Sequence, residues 1–122
     1  MLGQECLGAE MDLKLRVEFG NGLVMGPGKA ALLEAIVQTG SISAAGRALG
    51  MSYKRAWGLL NEMNAGFVAP VVISARGGVK GGGAVVTEAG ALVLARFRAL
   101  EAKIWQDEAG DLRALSDMAQ RK

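Results

Sequence analysis

The chain has no histidine and only one cysteine, Cys6, among its 122 residues. These absences exclude a disulfide framework and a zinc site of Cys and His ligands within one chain. We find no nucleophile paired with a base and no cluster of metal ligands, so we expect neither an enzyme nor a bound metal or cofactor. We interpret Cys6 as a bystander in residues 1–10, which we expect to be flexible.

Long apolar runs are also missing. Glycine and charged residues interrupt every apolar stretch well before the roughly 20 residues that a membrane helix needs. The first residues lack both the basic segment and the apolar core of a signal peptide. We therefore expect a cytoplasmic protein that does not associate with membranes, and the length predicts a single domain.

The net charge of +2 is distributed unevenly along the chain. Residues 1–42 contain 3 basic and 5 acidic residues, residues 43–80 contain 5 basic and 1 acidic, and residues 81–122 contain 6 of each. A clustered basic surface attracts polyanions even on a nearly neutral chain. A solvated face without a partner is the alternative. The cations of the middle segment are Arg47, Lys54, Arg55, Arg76 and Lys80.

Residues 40–63 predict two short helices around a turn at Gly50, which is a helix-turn-helix pattern. We expect Ser43 to cap a helix through Leu49, and Ser52 to cap a helix through about Gly66. The predicted inward residues are Ile42, Ala45, Leu49, Met51, Ala56 and Leu59. The predicted outward residues, which a DNA major groove would meet, are Ser52, Tyr53, Lys54, Arg55 and Asn61.

The flanking segments predict small β elements and one more helix. Residues 11–19 alternate apolar and charged, which predicts a strand paired with residues 23–25. Its predicted inner face is Leu13, Leu15, Val17 and Phe19. Pro27 predicts the start of a helix over 28–39. Residues 71–74 and 84–87 predict a hairpin with a glycine-rich tip. The predicted fold is mainly α with small β, a winged helix-turn-helix with an N-terminal β-hairpin.

A long helix is predicted over about residues 88–106, with Thr87 as its cap. Its apolar stripe predicts a dimerisation surface, with packing on the domain's own core as the alternative. Residues 107–122 predict either a short helix or a frayed tail. The members of the stripe are Ala89, Leu92, Val93, Phe97, Leu100 and Ile104, with Trp105 beside it.

Two motifs together carry a family resemblance. Residues 52–57 read Ser-Tyr-Lys-Arg-Ala-Trp, and residues 77–83 read Gly-Gly-Val-Lys-Gly-Gly-Gly. In this order they resemble the N-terminal domain of bacterial ModE-type, molybdate-responsive transcription regulators, over roughly residues 12–106. The resemblance implies a recognition helix starting at Ser52 and a wing from Arg76 past Lys80. It also implies pairing through the N-terminal strand region and the long helix, giving a homodimer that reads inverted-repeat operators.

The resemblance also sets limits on the expected function. Full-length members of that family continue into C-terminal molybdate-binding modules, whereas this sequence stops soon after the long helix. We expect one DNA-binding domain over residues 11–106 that regulates molybdenum-related genes, and we do not expect direct binding of molybdate. A winged helix used for protein contacts, or a modulator that heterodimerises with a full-length regulator, remains the alternative.

The predicted DNA-binding residues have different roles. Lys54 and Arg55 can reach guanine edges or phosphates, and Tyr53 can contact a phosphate or a thymine methyl group. Lys80 is expected near the tip of the wing, along the phosphate backbone or minor groove. Trp57 is expected to pack rather than to touch DNA. The full predicted set is Ser52, Tyr53, Lys54, Arg55, Asn61, Arg76 and Lys80.

Overall fold

The computed structural model describes residues 11–75 and 83–119. In these residues the fold is mainly helical with two antiparallel strand pairs, in the order of a winged helix-turn-helix, as the sequence predicts. One compact unit contains residues 15–95, and a second contains the described residues 11–14 and 96–119. The elements are β1 Val17–Glu18, β2 Val24–Met25, α1 Pro27–Thr39, α2 Ile42–Ala48, α3 Tyr53–Gly66, β3 Val72–Ala75, β4 Gly83–Val86, α4 Glu88–Asp107 and α5 Ala109–Met118.

Helix α1 supplies much of the core of residues 15–95. Pro27 opens the helix, where a missing N–H costs nothing. The helix ends at Gly40, whose φ of 70° lies in the left-handed region that favours glycine. The largest fully buried side chains of the described residues are Leu32, Leu33, Ile36, Leu60, Met63 and Val71.

The helix-turn-helix forms at the predicted place, but its first cap differs from the prediction. The Oγ of Ser41 accepts a hydrogen bond from the Ala44 N–H at 3.0 Å, so α2 begins at Ile42. Ser43 lies inside the helix, and its Oγ instead accepts from the Arg47 guanidinium at 2.9 Å. The prediction that Ser43 caps α2 is therefore wrong. The helix starts earlier because Ser41, in extended backbone directly after the turn at Gly40, already offers the hydroxyl.

The packing between α2 and α3 requires a small residue at their closest approach. Gly46 is buried, and a Cβ there would lie 3.4 Å from the Ala56 Cβ. Ala45 and Ala56 are buried as predicted, whereas Leu49 is exposed and Leu60 takes the buried position expected of Leu59. Gly50 makes the predicted turn with a φ of 70°.

The first strand is much shorter than predicted. Residues 11–18 do alternate between half-buried and exposed, but only Val17 and Glu18 pair, with Met25 and Val24. Strand β2 cannot extend because α1 begins at Pro27, so residues before Val17 lack a partner on that side. Phe19, predicted to face inward, is 41% exposed at the turn, with its ring edge-on to Phe67.

The hairpin of β3 and β4 joins the helix-turn-helix through the chain between α1 and α2. Its register runs from Val72 opposite Val86 to Ala75 opposite Gly83, within one residue of the predicted strands. The Ala84 N–H donates to the Gly40 carbonyl at 2.9 Å, and Ser41 bridges to Gly83. The beginning of β4, at Gly83 and Ala84, is thereby fixed to the chain that enters α2.

Helix α4 begins as predicted after Thr87. The Thr87 Oγ1 accepts a hydrogen bond from the Gly90 N–H at 3.0 Å, and its hydroxyl donates to the Pro70 carbonyl at 2.6 Å. Gly90 allows close approach, because a Cβ there would collide with the Val71 carbonyl oxygen. Of the predicted apolar stripe, Phe97 is buried but Leu92 and Leu100 are exposed.

Residues 96–119 continue α4 and add α5, so the short helix and not the frayed tail follows α4. Trp105 is buried, whereas Leu115 and Met118 on α5 are exposed. Ion pairs on α4 join Arg98 to Glu101 and Lys103 to Asp107. No helix in the described residues is both long and apolar enough to cross a membrane.

Candidate nucleic-acid interface

The start of α3 presents several of the predicted contact residues to solvent. Ser52, in extended backbone, accepts a hydrogen bond from the Arg55 N–H at 3.0 Å and so caps the helix. Tyr53 follows at the first helical position and is 59% exposed, and Lys54 and Arg55 are also exposed. The cap thus fixes where the helix starts and which side chains stand at its first turn.

The opposite face of α3 anchors the helix. Ala56, Leu60 and Met63 are buried at helical spacing, so they hold this face against the core. The helical period therefore turns Lys54 and Asn61 outward, two turns apart along one face. Asn61 is exposed, about 10 Å along the axis from Lys54 at 1.5 Å per residue. A DNA groove that receives the first turn of α3 would therefore contact Asn61 only if the groove also runs along this exposed face.

An aromatic pair stands beside this exposed face. The rings of Tyr53 and Trp57 lie edge to face, with their centroids 6.1 Å apart. Trp57 is only half-buried, so it supports Tyr53 from the next turn while it remains partly accessible itself. This contact restrains the Tyr53 side chain, which remains largely exposed.

The charge of this surface is largely uncompensated. Within residues 11–75 and 83–119, neither Lys54 nor Arg55 forms an ion pair with a carboxylate. Glu62 is the single acidic residue between positions 43 and 80, and its Oε1 lies 2.8 Å from the Lys29 Nζ. The exposed face of α3 therefore carries an excess of positive charge, as a surface for polyanions requires.

One side chain fixes α3 to the hairpin. The Oδ1 of Asn64 accepts hydrogen bonds from the N–H of Val71 at 2.7 Å and, more weakly, from that of Val72 at 3.4 Å. Its Nδ2 donates to the Val72 carbonyl at 3.2 Å. Sequence patterns do not predict this role, because Asn64 is simply a polar residue near the end of an amphipathic helix.

Two predicted contact residues, Arg76 and Lys80, lie outside the described residues. The pairing of Ala75 with Gly83 places the two ends of the intervening segment side by side. Arg47 of the basic segment is exposed on α2, where its guanidinium donates to Ser43. The structure thus brings Ser52, Tyr53, Lys54, Arg55 and Asn61 onto one helix.

Lys29 is another residue whose role the sequence patterns do not predict. It is only 8% exposed, in the first turn of α1, and its Nζ donates to the Val24 carbonyl at 2.6 Å while pairing with Glu62. A signal for its burial was available, because Lys29 stands three and four residues before the buried Leu32 and Leu33. That spacing places it on the buried face of α1. In the described residues, no group of three or more cysteines, aspartates or glutamates could hold a metal ion.

Comparison with known proteins finds relatives of this chain among molybdenum-related regulators and binding proteins. It is 52% identical over 83 residues to the molybdenum-pterin-binding protein MopB of Rhodobacter capsulatus, a match that covers 68% of this chain and 31% of that protein. It is 39% identical over 80 residues to the molybdenum transport protein ModE of Azotobacter vinelandii, covering 66% of this chain and 30% of the relative.

A third relative is the DNA-binding transcriptional dual regulator ModE of Escherichia coli strain K12. It is 38% identical over 81 residues, which cover 66% of this chain and 31% of the relative. No model of a protein family matches the chain. The chain thus matches less than a third of the length of each of these relatives, and over that stretch it is homologous to the ModE and MopA/MopB proteins.

Proposed function

We propose that this chain is a ModE-like transcription regulator that binds double-stranded DNA through α3 and the hairpin of β3 and β4. The observation that carries the proposal is the first turn of α3, where Lys54 and Arg55 are exposed beside Tyr53 and have no carboxylate partner in the described residues. A capped helix whose first turn is basic and exposed suits the major groove, because base edges there accept hydrogen bonds from Lys and Arg. The similarity to the DNA-binding transcriptional dual regulator ModE of E. coli supports the same function.

The proposed unit is a homodimer that reads an inverted repeat. Exposed apolar side chains on α4, Leu92 and Leu100, support it, because burying them against a second copy would remove apolar surface from water. Two recognition helices related by a two-fold axis would read half-sites about 34 Å apart, or a multiple of that distance. The proposed targets are molybdenum-related genes, as the names of the relatives suggest.

The proposal is tested by fluorescence anisotropy of labelled duplexes. The duplex carries DNA from upstream of the protein's own gene, and a scrambled duplex of the same composition is the competitor. We expect selective binding that weakens steeply with salt, since neutralised phosphates release counterions. Adding molybdate is expected to leave the affinity unchanged, because the proposal includes no molybdate site in this chain.

A matched pair of variants links binding to α3. Arg55→Ala removes an exposed guanidinium from the first turn of α3, and Arg113→Ala removes one from α5. We expect the first change to weaken DNA binding and the second to leave it nearly unaltered. Equal affinity of the wild-type chain for both duplexes at low salt, or no binding to either, would contradict the proposal. It would favour a winged helix used for protein contacts or for pairing with a full-length regulator.

A further inference from the structure

Lys29 connects three elements at a buried point. Its ammonium group belongs to α1, donates to the Val24 carbonyl of β2 at 2.6 Å, and lies 2.8 Å from the Glu62 carboxylate of α3. Removing an ammonium group from water is costly, so a buried lysine persists only where partners compensate for the lost hydration. Both partners here are oxygens, one neutral and one charged.

The carboxylate partner of Lys29 stands on the helix proposed to read DNA. Glu62 follows Asn61 and lies two turns after Arg55, on the same side of α3. Its side chain is 61% exposed, so this carboxylate contributes to the surface charge of α3. Glu62 lies about 12 Å along the helix axis from Lys54. This distance is close to the Debye length at 0.1 M salt, so an unneutralised carboxylate at Glu62 would still repel phosphates bound near Lys54.

The same region carries other contacts between the β1–β2 turn and the end of α3. The Asn21 Nδ2 donates to the Gly66 carbonyl at 2.9 Å. Gly66 accommodates Leu23 so closely that a Cβ on the glycine would lie 2.7 Å from the Leu23 Cβ. Because these contacts already hold the end of α3 against the β1–β2 turn, Lys29 is not the sole link between α3 and the rest of the domain. What Lys29 adds is its positive charge.

We propose that Lys29 is a positioning residue for DNA binding: its buried ammonium group neutralises and orients Glu62, so that the exposed face of α3 stays positive. The inference rests on the proposed function and names a residue of α1 that does not itself meet the DNA. The chemical class of the partner is the phosphate backbone of double-stranded DNA. A lysine beneath a recognition helix thus acts through the carboxylate that it pairs with.

The test compares Lys29→Gln, Glu62→Gln and the double variant with the wild-type chain in the anisotropy assay. We expect Lys29→Gln to weaken DNA binding about three- to tenfold at low salt, because Glu62 is then unneutralised. Glu62→Gln is expected to bind as tightly as wild type or tighter. The double variant is expected to return to within about twofold of wild type, since its net charge is restored.

The control is Lys103→Gln, which breaks the ion pair with Asp107 on α4 and changes the net charge equally. We expect it to bind DNA almost as wild type does. The deficit of Lys29→Gln is also expected to shrink as salt rises from about 50 to about 200 mM, whereas a purely structural defect would persist. Thermal unfolding of each variant confirms that it is folded at the assay temperature.

The outcomes separate the two proposals. A wild-type chain that does not bind DNA would contradict the proposed function itself. If the wild-type chain binds, the inference about Lys29 is overturned by a Lys29→Gln variant that binds like Lys103→Gln, or by a double variant as weak as Lys29→Gln. Should Lys29→Gln not fold, the exposed Glu62→Gln change decides alone: weaker binding than wild type would overturn the inference, and equal or tighter binding would support it.

Discussion

Helices α3 and α4 both bury apolar residues, but they expose opposite chemistry. The buried face of α3 is Ala56, Leu60 and Met63, and its exposed side chains are mostly polar or charged. On α4, Phe97 and Trp105 are buried, yet the large apolar residues Leu92 and Leu100 are exposed. The exposed face of α3 is polar and needs no further burial, whereas α4 leaves apolar surface in contact with water.

The two helices therefore suit different kinds of partner. A surface with Lys54 and Arg55 gains from a polyanion, since Coulomb attraction acts at a distance and needs no apolar burial. A surface with exposed leucines gains from another apolar surface, because burial removes that area from water. Substitutions of the basic residues on α3 should therefore leave association through α4 nearly unchanged.

The largest expected effect is on the stability of the buried face of α3. Leu60 is 2% exposed, so Leu60→Ala should lower the free energy of unfolding by about 2–5 kcal/mol. Leu92 is 53% exposed, and Leu92→Ala should change it by no more than about 0.5 kcal/mol in the monomer. Urea unfolding at low protein concentration measures both. A comparable loss from Leu92→Ala would show that this side chain is buried in an assembly even at that concentration.

The next effect concerns association through α4. Leu100→Asp should weaken the dimer by about 1.5–3 kcal/mol or more, because it replaces apolar surface with a charge at the predicted seam. Leu115→Asp, at an exposed leucine on α5, is the control with the same chemical change. Sedimentation velocity over a concentration series reports the monomer–dimer equilibrium. If only Leu115→Asp dissociates the dimer, the predicted seam on α4 is wrong.

A smaller effect separates base reading from phosphate binding. Lys54→Ala should cost about 1–3 kcal/mol on the preferred duplex and less on scrambled DNA, if Lys54 reads a base. Lys80→Ala should weaken binding to every sequence nearly alike and lower the salt slope by about one. Anisotropy titrations on both duplexes measure the two patterns. Uniform losses from both changes would mean that Lys54 contacts phosphate only.

The smallest expected effect is at the first cap of the helix-turn-helix. Ser41→Ala removes the hydroxyl that accepts from the Ala44 N–H, and should cost about 1 kcal/mol of stability. Ser43→Ala removes only an exposed hydrogen bond with Arg47, so it should cost less than about 0.5 kcal/mol. Thermal unfolding of both variants measures the two losses of stability. A larger loss for Ser43→Ala than for Ser41→Ala would show that Ser43 is the cap, as the sequence predicted.

Local chemistry in the sequence was sufficient to predict most of the helices. Pro27 and the positive-φ glycines at 40 and 50 determine where helices begin and end, and Ser52 and Thr87 are capping residues by type. Their positions could be predicted because these preferences depend on backbone geometry within a few residues. The predicted hairpin of β3 and β4 followed from β-branched residues on both sides of a glycine-rich segment.

The remaining features depend on contacts between distant residues. The short pairing of β1 depends on where α1 begins, which alternation within residues 11–19 does not reveal. Choosing between Ser41 and Ser43 required the backbone conformation after Gly40. The pair of Lys29 and Glu62 joins residues 33 positions apart, so neither local charge nor local spacing predicts it. The predicted DNA contacts of Lys54, Arg55 and the other site residues stay predictions until a complex is measured.

The amide of Asn64 has a thermodynamic consequence for binding. By bonding to both Val71 and Val72, it fixes α3 and the first strand of the hairpin relative to each other before any ligand arrives. A ligand that touches both elements then need not order them. The entropy lost on binding is confined to long exposed side chains such as Lys54 and Arg55, at about 0.5–1.5 kcal/mol for each one immobilised. Preorganisation by a single side chain is thus a source of affinity that no direct contact with the ligand would reveal.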